Sequence, residues 1–216
     1  MSTVQRRPGR RRTQEERSTA MRQRLLEATI DCLVEYGYAG TTTTRVAERA
    51  GVTRGAQLHH FRTKNDLVTA AVRHLAVKRA DAALEQVDRL RGSDDVLDAA
   101  LDLLWDVHQG PIFAATAELW MAARTDPDLQ AQLRQVEPMV NSALLSFGAE
   151  LVPGFANHPQ LRHWAYTAMD VVRGLLVGSG VIGDAQLEQR WRRAKAHLKI
   201  VGEQLLADAG ATYLQP

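Results

Sequence analysis

His59 and His60 stand side by side in "GVTRGAQLHHF", residues 51–61, close to Thr53 and Arg54. Paired imidazoles raise the question of a metal site. Neighbours on a helix diverge by about 100°, whereas chelation of one ion uses i, i+4 pairs. His74, His158, His163 and His197 supply no such spacing and there is no H-E-x-x-H, so no metal is expected. A second candidate is "GSGVIG", Gly178 to Gly183, which fits G-x-G-x-x-G with Glu203 twenty residues beyond its last glycine. A dinucleotide fingerprint needs a strand before it and a βαβ unit around it. Here a helical stretch containing Arg173 precedes it and Glu203 falls in an amphipathic helix, so the glycines read as a helix end and turn. An NAD(P)-dependent oxidoreductase is the alternative from another class. The preferred reading has no catalytic residue and no cofactor. A third candidate is the run Arg6, Arg7, Arg10, Arg11 and Arg12, which carries no acid and suits a polyanion.

Charge distribution favours the third kind of chemistry. The 216 residues carry a net charge of +2. Residues 1–92 carry a balance of +8 and residues 93–216 one of −6, so only the front half is built to meet a polyanion. Apolar residues make up 45%, enough for a real core. The one cysteine, Cys32, forms no internal disulfide and reads as a small buried side chain. "MSTVQRRPGRRRTQEER" has no apolar run of the secretory kind, and "GLLVGSGVIG" is half the length of a membrane span. The chain is expected to be cytoplasmic, without membrane contact.

The elements that must position these groups are helical throughout. After a flexible arm over 1–13, Leu26, Ile30 and Leu33 mark a first helix from about Glu15 that Gly37 ends. "TTTTRVAERAG" gives a second, with Val46, Ala47 and Ala50 inward. Thr53 caps a short third, and a longer helix runs from about Lys64 to Leu90. "RGSDD" at 91–95 is the best interior boundary. Further helices are read over 95–108, 112–124, 129–151, 160–177 and 184–208, making nine with no strand alternation. The fold class is all-α. The expected domains are the arm, a head over 14–66, a connecting helix over 67–90 and a body over 91–216.

Two short helices separated by "AGVT" satisfy a helix-turn-helix: Ala47 is small where the helices cross, and Gly51 can take the positive φ of a tight turn. The stretch "EYGYAGTTTTRVAERAGVTRGAQLHHFRTKNDL", followed by a long helix, resembles the TetR family of bacterial transcriptional regulators. The resemblance is tight over about 20–70 and beyond 90 covers only length and helix count. It implies a homodimer whose N-terminal helices read double-stranded DNA and whose remainder dimerises and holds a small-molecule inducer. Matched by position, Thr44 and Arg45 contact phosphate or a base edge. Thr53, Arg54, Gly55 and Ala56 form the base-reading surface, with His59 beside them, and His60 and Lys64 bind phosphate. Arg54 suits bidentate pairing with guanine. Arg10, Arg11 and Arg12 suit an adjacent minor groove. One departure stands out: the family's Leu-Tyr is replaced by Gln57-Leu58. Either Leu58 turns inward and Gln57 faces the groove, or the register holds, Gln57 is buried with a hydrogen-bond partner and Leu58 meets a thymine methyl. The first is preferred.

Leu187, Trp191, Ala194, Leu198, Val201 and Leu205 recur at spacings of four and three, as do Leu161, Ala165, Ala168, Val172 and Leu175. The two seams are expected to form a four-helix bundle with a second subunit. Trp105, Phe113, Trp120, Met121, Met139, Phe147, Trp164, Tyr166 and Met169 can line an effector cavity. His108, Thr116, Glu118, Arg124 and Asn141 would orient the ligand there. The expected function is a repressor of a palindromic operator, released by a small apolar or amphipathic effector.

Overall fold

The computed structural model describes residues 13–211, apart from the side chains of Arg79, Pro111, Ile112, Glu137, Val140 and Asn141. The arginines of the arm and the side chain of Asn141 therefore lie outside the described residues. Among the described residues there are eleven α-helices, one 3₁₀ turn and no strand.

Helix α1 (Gln14–Gly40) starts at a capping box: Thr13 accepts from the Glu16 backbone while the Glu16 carboxylate accepts from the Thr13 N–H. Gly37 interrupts it near the end with φ 65 and ψ −178, a left-handed φ that favours glycine. Helices α2 (Thr43–Ala50) and α3 (Arg54–His60) follow, capped by Thr42 and Thr53. Between them Gly51 is left-handed, and the Val52 N–H returns to the Ala47 carbonyl at 3.0 Å, closing the tight turn the sequence calls for. Leu25, Leu26, Cys32, Val46, Phe61, Leu67 and Ala71 form the core that joins these helices to α4 (Lys64–Leu84).

The expected helix to Leu90 stops early. α4 ends at Leu84, and after Glu85 and Gln86 a separate short α5 (Val87–Arg91) begins and buries Val87 and Leu90. Both connecting residues keep right-handed helical dihedrals, so the chain is offset without any glycine or proline to announce it. The expected helix over 129–151 is likewise two, α8 (Pro127–Leu133) and α9 (Glu137–Leu151). The other boundaries match local chemistry. Asp95 caps α6 (Val96–Asp106) and Asp126 caps α8, each accepting from a backbone N–H three residues on. α7 (Pro111–Ala123) and α10 (Pro159–Val177) each open on proline. α11 (Asp184–Asp208) closes the chain.

α6, α10 and α11 enclose the main core. Trp105 of α6 and Trp191 of α11 stack with ring centroids 4.8 Å apart and planes 3° from parallel. Outside that stack, Lys195 bridges Asp98 and Asp102 at 2.9 Å each, and Lys199 pairs with Asp95. Here the expected dimer seam is corrected. Leu161, Ala165, Ala168, Val172, Trp191 and Leu198 are all buried within this one chain, and Leu187 and Ala194 are partly buried against the same core. A three-four spacing registers that a helix has an apolar stripe, and the stripe here closes on its own chain. Val201, 50% exposed, lies outside it.

Candidate nucleic-acid interface and ligand cavity

The seven residues of α3 divide sharply between inside and outside. Thr53 uses its hydroxyl to cap the helix, accepting from the Ala56 N–H at 3.2 Å. Arg54, Gly55, Leu58 and His59 are exposed, and Ala56 and His60 partly so. Gln57 is 0% exposed, and its Nε2 donates to the Phe61 carbonyl at 2.7 Å. The preferred reading of the Gln57-Leu58 pair is therefore corrected: the register holds, the amide is inside and Leu58 is outside. That bond satisfies the amide nitrogen, while the buried Oε1 has no partner among the described residues. Burial, with His59 and Arg22 nearby, lowers the His60 pKa, so this imidazole is harder to charge than a free one.

Thr44 is exposed in the first turn of α2. Arg45 lies with its guanidinium 4.7 Å over the Tyr36 ring and donates to the Gly40 carbonyl, while Arg49 pairs with Glu35. Lys64 departs from expectation. Its ammonium donates to the Tyr38 carbonyl and sits 3.9 Å from the Tyr38 ring centroid, half-buried, and that burial lowers its pKa against the pull of Asp126. The side chain expected to meet phosphate is turned onto the end of α1.

Tyr38 is thereby gripped from three sides. Its N–H donates to the Glu118 carboxylate of α7 at 3.0 Å, and its carbonyl accepts from Lys64. Its hydroxyl donates to Asn65 Oδ1 at 2.7 Å and lies 3.3 Å from Asp126 Oδ2. Gly37 makes room for this: a Cβ there would fall 2.4 Å from Glu118 Oε2. Thr69 and Asp66 of α4 hold Gln132 of α8 at 2.9 and 3.2 Å. Beneath these bonds Leu33 and Val68 pack with Ala115 and Leu119 of α7.

The opposite face of α7 lines a cavity of about 230 Å³. Of the residues expected around a ligand, His108, Phe113, Thr116, Trp120, Phe147, Trp164 and Met169 line it. Four of the large side chains do not: Trp105 is in the tryptophan stack, Met121 is 52% exposed, and Met139 and Tyr166 are not part of the wall. Glu118 turns to Tyr38 and Arg124 is exposed. Sequence reasoning missed the α4 wall of Val72, Leu75 and Ala76, and Arg173, whose guanidinium lies 5.2 Å over the Trp120 ring. Small aliphatic residues on a connecting helix carry no sign of a cavity; an arginine in an apolar helix is such a sign.

Residues 25–71 match the family described as bacterial regulatory proteins, tetR family. An HTH-type transcriptional regulator of Mycobacterium tuberculosis is 32% identical over 181 residues, spanning 83% of this chain and 92% of its own length. The chain belongs to the TetR family. CymR of Pseudomonas putida, an HTH-type transcriptional regulator, is 34% identical over 58% of this chain and 62% of its own. A transcriptional regulator from Rhodococcus superposes with a TM-score of 0.57 at 27% identity, over 88% of this chain and 97% of its own. The protein is accordingly a DNA-binding transcriptional regulator of the helix-turn-helix type, all-α in fold.

The oxidoreductase alternative finds no support in these relatives or in the fold around its glycines. Gly178 to Gly183 form the end of α10 and the turn into α11, a helix precedes them, and the named relatives regulate transcription. Among the described residues no helix is long and apolar enough to cross a membrane, and no three His, Cys, Asp or Glu side chains are grouped to hold a metal.

Proposed function

We propose that this TetR-family protein is a homodimeric cytoplasmic repressor. Paired α3 helices bind a palindromic operator, and a small apolar or amphipathic molecule in the cavity releases it. The observation that carries the DNA half is Gly55. It is exposed, its φ is not left-handed, and an added Cβ would approach nothing closer than Thr53 Oγ1 at 4.0 Å. A glycine costs up to about 1 kcal/mol relative to alanine in a helix interior and less in the first turn, where Gly55 stands, and no contact within the fold requires it. Close approach of an outside surface to bare backbone does. Gly55→Ala is therefore expected to leave the thermal midpoint unchanged or raise it by about 2–4 °C, while weakening duplex binding. A scanning melt and a binding titration on one preparation check both halves.

Thr44, Arg45, Thr53, Arg54, Ala56, His59 and His60 supply the rest of the DNA-facing surface, with Arg10, Arg11 and Arg12 of the arm following the duplex beyond it. Lys64 acts from behind by fixing Tyr38. Repression is favoured because the related AcnR of Corynebacterium diphtheriae, 29% identical over 57% of this chain and 61% of its own length, is named a repressor. We place self-association on the outer face of α10 and α11, where Val177 and Val181 are exposed at the turn and Ile200 and Val201 about 25 Å further along α11. Residues 14–66 serve as head, 67–90 as connection and 91–216 as effector and dimer body.

Release follows from the two faces of α7. Phe113, Thr116 and Trp120 feel what fills the cavity, and Ala115, Glu118 and Leu119 touch the head. A ligand acts only through different affinity for two arrangements, and α7 is the element both ends share. A bulky substitution in the cavity, Met169→Trp, is expected to weaken duplex binding about tenfold, a coupling of the usual allosteric size. Adding Glu118→Ala should remove most of that effect. Glu118→Gln, which keeps an acceptor for the Tyr38 N–H, should preserve it. Equal losses in all three backgrounds would remove Glu118 from the route. The function itself is tested by selecting duplexes from a random library with the full chain at low salt: enrichment of an inverted repeat is expected, and no enrichment would refute it.

A further inference from the structure

The outward face of α3 carries one large aliphatic side chain among polar and cationic ones. Leu58 is 43% exposed. The residue before it is the reason. A buried amide is costlier than a buried leucine unless it is hydrogen-bonded; Gln57 donates from Nε2 to the Phe61 carbonyl, where α3 gives way to extended backbone at φ −141, ψ 116, while its Oε1 has no partner among the described residues. The helix is seven residues long, and burial of Gln57 at its centre with Phe61 at its end sets which face turns inward. One position further, about 100° round, Leu58 is held outward. It shares a face with Arg54 four residues back and Gly55 three back. The bare backbone at Gly55 lets an outside surface come within van der Waals distance beside it.

An aliphatic side chain on a nucleic-acid-facing helix has few profitable contacts. It cannot hydrogen-bond a phosphate or a base edge. The major groove of B-DNA offers one apolar group, the 5-methyl of thymine. The geometry points to Leu58 as a specificity-determining residue that packs on the 5-methyl of one thymine in each half-site, while Arg54 reads a polar base edge next to it. The inference rests on the DNA-binding reading of α3 given above, and goes further by naming the group recognised. Polar exchange at this position would keep affinity for the duplex and lose the preference for thymine over uracil.

The test uses the full chain and a tight duplex from the library selection, with each thymine replaced in turn by deoxyuridine, which removes the methyl and nothing else. Wild type is expected to lose about 3- to 5-fold in affinity at one thymine per half-site, the size of burying one methyl group. Leu58→Ala, whose fold is checked by its helical circular dichroism, is expected to bind both duplexes equally at that position while still discriminating elsewhere. Indifference of wild type to every uracil would overturn the inference, as would a uracil penalty that persists in Leu58→Ala. A library yielding no enriched duplex would overturn the DNA-binding reading itself, and this inference with it.

Discussion

Replacing Trp191 by alanine is expected to lower the free energy of unfolding by about 3–5 kcal/mol, the range for truncating a buried aromatic. Trp191 is 2% exposed and lies face to face with Trp105, so truncation removes a large buried area and leaves a void that α6 and α11 cannot close without moving. The pairs of Lys195 with Asp98 and Asp102 sit on the rim of the same contact and would resist that movement. The diagnostic feature is independence of protein concentration. A seam buried inside one chain loses the same free energy at every dilution, whereas a seam between subunits would show a loss that depends on dilution through mass action. Denaturant melts over a hundredfold range of concentration distinguish the two.

Arg54→Ala is expected to leave that stability untouched and to reduce operator binding about 30-fold or more, from ~1–3 kcal/mol per bidentate base contact counted once in each half-site. The side chain is exposed at the first position of α3, where truncation opens no cavity. Arg54→Lys separates charge from geometry. Lysine keeps the cation and loses the planar fork, so affinity for an unrelated duplex should hold while preference for the operator falls. Titrations of the selected duplex and a scrambled one, at a single stated salt concentration, measure both. A uniform loss on both duplexes would make Arg54 a phosphate contact rather than a base reader.

The head was legible because its signals are local. Thr53 caps, Gly51 turns, and Val46 and Ala50 pack inward, each within a few residues of what it controls. What lay hidden depends on partners distant in sequence. The Gln57-Leu58 choice cannot be read from periodicity in a helix of seven residues; it is decided by how α3 and Phe61 pack on the core that α1, α2 and α4 share. Lys64 looked like a phosphate ligand until Tyr38, 26 residues earlier, came to lie over its ammonium. Glu118 stands in an apolar helix and so suggested a ligand group, yet it answers a backbone N–H 80 residues away. The α10 and α11 seams had the right spacing for a bundle, and spacing does not tell one chain from two. The break after Leu84 carries no glycine or proline and was invisible for that reason.

The most direct test of two α3 faces docking on one duplex is a hydroxyl-radical footprint of the full chain on its selected operator. Two protected patches are expected on one side of the helix, with centres about 34 Å apart, and both should fade together with Arg54→Ala. A single patch, or protection that follows salt but not sequence, would contradict the account.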